Sequence, residues 1–107
     1  MDRPGGLMAD DEFPSDLLDA QRAYWEADAR VREVTGGLPP GPEVAAGTAA
    51  ITDGQRSELA RAREARLLAL EALNRHPWWA TADDRHAAWT RLQKAARASE
   101  DAGARRE

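Results

Sequence analysis

His76 and His86 are the only imidazoles in the chain, and Asp83 stands three residues before the second. On a helix that spacing puts Asp83 and His86 on one face, and two imidazoles with a carboxylate are a ligand set that transition metals accept. A working site also needs converging geometry and supporting hydrogen bonds. The spacing repeats no known metal motif, so no metal is expected: His76 reads as a helix-end residue and His86 as a solvated one. Nucleophilic catalysis finds no better footing. Ser15, Ser57 and Ser99 have no base oriented beside them, and Thr52 and Thr81 are explained as helix caps. Without cysteine there is no thiolate chemistry, no disulfide and no Cys-ligated metal. The run Gly-Gly-Leu-Pro-Pro-Gly from Gly36 follows a helix and lacks the Lys-Ser/Thr ending of a phosphate loop. The expectation is a protein that is not an enzyme and carries no cofactor.

What remains is recognition. Trp78 and Trp79 sit side by side after Pro77, and tryptophan is over-represented at interface hot spots. The competing role is to close the open end of a helical bundle, with one ring more exposed than the other. Arg63 and Arg66 fall on the apolar side of the second helix. They snorkel to water, or pair with Asp28 or Glu33 of the first helix, or mark a polar contact to another chain, pairing within the fold being favoured. Trp78, Trp79, Arg63 and Arg66 are therefore the candidate partner-binding residues. His86, Arg91, Lys94 and Arg97 share one side of the third helix, with Arg105 and Arg106 after them, and form a candidate nucleic-acid face of the kind phosphate contacts require. Three observations weigh against it. Basic residues late in a helix also offset its negative end, the Pro-Trp-Trp connection is unlike a helix-turn-helix turn, and the net charge is −4. A protein partner or self-association is expected, with a small DNA-binding regulator as the alternative.

The elements that position these residues are helices. Pro14, Ser15, Asp16 and Asp19 suit a helix start. The stripe Leu17, Ala20, Tyr24, Ala27, Val31, Val34 follows at 3-4-3-4-3 spacing, the repeat of a coiled-coil seam. Gly36 and Gly37 end it. Pro39, Pro40 and Pro42 argue against regular helix in the connection 36–52. Thr52 and Gln55 form a capping box for a second helix, whose face carries Leu59, Ala62, Ala69, Leu70 and Leu73, with Leu67 at its margin. Leu68 points the other way and calls for cover from the third helix. His76-Pro77 stops the second helix. Thr81 with Asp84 caps the third, whose stripe is Ala88, Trp89, Leu92, Ala95 and Ala96. Glu26–Arg30, Asp28–Arg32 and Glu71–Arg75 are favourable i,i+4 pairs. Apolar residues never alternate with period two, so no strand is expected.

The predicted fold is all-α: an antiparallel, coiled-coil-like hairpin of helices about 15–35 and 53–75, joined by a shorter third helix about 82–99. It forms a single domain over 13–99, between a disordered segment 1–12 and a disordered tail 100–107. Alanine buries little area per contact, so Trp25, Trp78, Trp79 and Trp89 are expected to supply much of the burial, and a partner chain any deficit.

No apolar run approaches the roughly 20 residues that cross a bilayer, and the acidic N-terminus fits neither a secretory signal nor a transit peptide; the expected setting is cytoplasmic, without membrane contact. Met8 opens Met-Ala-Asp-Asp-Glu, a second place where translation could start. The stretch from Glu12, Glu-Phe-Pro-Ser-Asp-Leu-Leu-Asp-Ala-Gln-Arg-Ala-Tyr, and the stretch from His76 to Arg97, His-Pro-Trp-Trp-Ala-Thr through Leu-Gln-Lys-Ala-Ala-Arg, resemble small uncharacterised Ala- and Arg-rich helical proteins of high-GC actinobacteria of the Streptomyces type. The resemblance covers about half the chain. It implies a bacterial setting and no activity, so it assigns no functional residue.

Overall fold

The Pro14 carbonyl accepts the first two bonds of the first helix, from Leu17 N at 3.0 Å and Leu18 N at 3.2 Å. The computed structural model describes residues 12–106, with side chains to Asp101. Its helices are α1 (Ser15–Gly36), α2 (Gly41–Ala45), α3 (Asp53–Asn74) and α4 (Arg85–Arg106), with a 3-10 turn, Pro77–Thr81, between the last two. Among the described residues there is no strand, and the fold is all-α. The segment 1–12, expected to be disordered, lies outside the described residues except for Glu12.

The start of α3 is the expected capping box. Thr52 N donates to Gln55 Oε1 at 2.9 Å, and Gln55 N donates to Thr52 Oγ1 at 3.0 Å. Three features differ from the sequence expectation. The proline-rich connection holds a one-turn helix, α2, because Pro40 and Pro42 occupy its cap and first turn, where no donor is required. Gly47, at φ +81°, ends that turn in the left-handed region. The last helix starts at Arg85 rather than 82: Thr81 Oγ1 donates to the Trp78 carbonyl at 2.7 Å, and the cap passes to Asp84, whose Oδ1 accepts from Ala87 N at 3.1 Å. Finally, α4 is 22 residues long, the same as α1 and α3, instead of shorter. No proline follows Pro77 to stop it.

Contacts group the chain into two units, one of residues up to Ala23 together with those from Glu71 on, the other Tyr24–Leu70. The first unit buries Phe13, Leu17, Leu18, Leu73, Trp79, Ala88, Leu92, Ala95 and Ala96, along with Gln21. Four of these nine apolar residues are leucines. Of the four tryptophans only Trp79 is buried, and Trp25, Trp78 and Trp89 are half-buried. The second unit holds a small cluster of Val31, Val34 and Ala62, with Leu59 packed on it. Its two long segments run antiparallel, since Asp28 meets Arg66 and Arg30 meets Glu58.

Candidate functional site

The end of α3 and the 3-10 turn are built around Trp79. Its indole N–H donates to the Leu73 carbonyl at 2.8 Å, and Arg85 donates to the Asn74 carbonyl at 3.2 Å. These two bonds satisfy acceptors that a helix C-terminus otherwise leaves open. The Arg85 guanidinium also lies 4.8 Å from the Trp79 ring centre, a cation–π contact. Phe13, Trp78, Trp79 and Trp89 form a chain of rings at centroid distances of 5.0, 5.3 and 5.7 Å. Trp79 is closed off inside this chain and offers no surface, while Trp78 is half-buried.

His76 is half-buried and fully engaged. Its Nδ1 accepts from Trp78 N at 3.1 Å. That leaves the ring proton on Nε2, which donates to Asp16 Oδ1 at 2.9 Å. Asp83 and His86 are exposed. Among the described residues no group of three His, Asp or Glu side chains is gathered as a metal site. On the basic face of α4, Arg91 is held by Glu12, at 2.7 Å from Nη2 to Oε2. His86, Lys94 and Arg97 are exposed beside it, and Arg97 has an interaction of its own.

In the second unit Arg66 reaches Asp28 at 3.3 Å, and Arg32 bonds the same carboxylate. The Arg32 bond, with Arg66 adding to it, holds the Asp28 carboxyl below the usual carboxylate range despite the opposing effect of partial burial. Arg30 joins Glu33 at 2.8 Å and Glu58 at 2.6 Å, replacing the expected pairing with Glu26. The Glu33 bond comes first in holding its guanidinium protonated. These three side chains, with Val34, Leu38 and Gln55, line a shallow pocket of about 140 Å³. Its charges are already paired with one another.

The outer side of α3 is different. Leu67 is 54% exposed and Leu68 57%, so the cover expected for Leu68 is not supplied. Ser57, Arg61, Glu64 and Leu68 follow one another at 4-3-4 spacing along this face, flanked by Ala60 and Ala65, and all six are exposed. The side chains of Arg61, Arg63 and Glu64 form no hydrogen bond or ion pair among the described residues. Arg22, Arg30, Arg32, Arg66 and Arg91 all do. Sequence reasoning singled out Arg63 and Arg66 on the inner side and passed over this face. The available signal was the heptad-like placement of Arg61, Glu64 and Leu68.

No curated protein and no solved structure matches the chain. One family does, a domain of unknown function (DUF8825), over residues 16–95, from the first turn of α1 to the middle of α4. The chain belongs to that family.

Proposed function

We propose that this chain is a non-enzymatic helical interaction module of a bacterial cytoplasm, and that it binds protein through the outer face of α3. The observation that carries the reading is the exposure of Leu67 and Leu68, in a chain whose leucines at 17, 18, 73 and 92 are buried. Paired apolar residues in solvent, ringed by charge, mark a contact surface. Unpaired Arg61 and Glu64 beside Leu68 add polar groups that can fix register at little desolvation cost. The setting draws on the Ala- and Arg-rich composition. Among the described residues no helix is long and apolar enough to cross a membrane. Of the other candidates, Trp79 is buried, Arg66 is held by Asp28, and DNA contact through α4 draws less support because Arg91 is held by Glu12.

Tagged chain and a Leu67→Ser/Leu68→Ser variant, each offered cytoplasmic protein and a differently tagged copy of the chain, test the reading. A protein retained by the parent chain and lost from the variant is expected. Identical retention by both, or none by either, overturns the proposal.

A further inference from the structure

We infer that the occupant of this face is a second copy of the chain, docked antiparallel across residues 57–68 of α3. The inference rests on the interaction-module reading and names its partner. A twofold axis on the outer side of α3, midway between Arg61 and Glu64, sets each residue opposite the one equally far from the axis on the other copy. Arg61 then faces the partner's Glu64, and Glu64 faces the partner's Arg61. Ala60 faces the partner's Ala65, and Leu68 lies over the partner's Ser57. Arg61 and Glu64, two of the charges that the fold leaves unpaired, each find an opposite charge, twice over, as an isologous contact requires. A parallel docking would set Arg61 on Arg61 and Glu64 on Glu64, which repel.

The side chains suit this geometry in other ways. Ala60 and Ala65 are exposed and small, so the two helix backbones can approach closely. The 4-3-4 spacing of Ser57, Arg61, Glu64 and Leu68 keeps the seam in register over three turns. Leu67 lies at its edge. A seam of about 18 Å, at 1.5 Å rise per residue, is short. It buries less than the roughly 1,200 Å² of a stable interface, so the dimer is weak and concentration-dependent.

Sedimentation of the full chain, followed from low micromolar to near-millimolar concentration, tests the pairing. The mass should rise from 11.7 kDa toward twice that value. Arg61→Glu should weaken association by roughly tenfold or more, because it sets two carboxylates against each other. Arg61→Glu/Glu64→Arg should restore it, since the swapped charges still face one another. These positions are exposed, and circular dichroism verifies that each variant keeps its helices. A parent chain that stays at monomer mass throughout, or a double swap no better than the single one, overturns the pairing. A monomer that still retains a different protein through Leu67 and Leu68 sinks the self-docking alone. A monomer with no partner at all sinks the interaction module with it.

Discussion

Gln21 is fully buried, and neither its Oε1 nor its Nε2 has a hydrogen-bond partner among the described residues. A buried amide in that condition costs about 1–3 kcal/mol, the desolvation penalty of unmade bonds. Gln21→Met keeps an unbranched chain of similar length and removes both orphaned groups. The variant should be more stable by about 1 kcal/mol, seen as a higher urea midpoint at unchanged slope. A midpoint at or below that of the parent chain would show that the amide is satisfied in solution. The burial of Gln21 was partly legible in the sequence: it follows Leu17 by four residues and Leu18 by three, a core position on a helix. Its polar type hid it from a search for apolar stripes. The role of His76 was not legible, because Asp16 lies 60 positions away in the chain and nothing local to His76 points to it.

Among the elements, the helix starts separate what local chemistry decides from what it does not. The Thr52–Gln55 box could be read directly, because both of its bonds close within four residues. Thr52→Ala removes the acceptor for Gln55 N and the reciprocal geometry with it, and should cost about 1 kcal/mol, typical of a lost N-cap. Thermal melts followed by circular dichroism measure this, and an unchanged midpoint would mean that packing alone sets the start of α3. The start of α4 misled for a different reason. Thr81 and Asp84 both have capping chemistry, and only the 3-10 turn, with Thr81 bonded back to Trp78, decides between them. That turn is held by Trp79 on Leu73 and by Arg85 on Asn74, contacts that join the end of one helix to residues of the next segment. The α2 turn is hidden in the sequence because proline breaks a helix interior, whereas at a cap and in a first turn it is compatible with one. Apolar periodicity located the faces of α1, α3 and α4 better than it ranked burial along them. Tyr24 and Ala27 are only half-buried within the α1 stripe.

At the level of the whole molecule, the two units differ in what they bury. The first has four leucines, a phenylalanine and a tryptophan in its core. The second has Val31, Val34 and Ala62, with Leu59 partly covered. At roughly 25 cal/mol per Å² of apolar area removed from water, valine and alanine contribute much less than leucine and tryptophan. Ion pairs across the second unit do not close the gap, because exposed pairs such as Arg30–Glu58 contribute little. Local opening should therefore begin in the second unit. Native-state hydrogen exchange distinguishes the two: amides of Val31, Val34 and Ala62 should exchange through openings of lower free energy than those of Leu17, Leu73 and Leu92. Raising the protein concentration should then slow exchange within 57–68 and leave the first unit's amides unchanged, because a partner that binds only the closed form stabilises it. Equal protection in both cores would mean that they open together as one cooperative unit, and the small valine–alanine cluster would then not be the weak point that its burial implies.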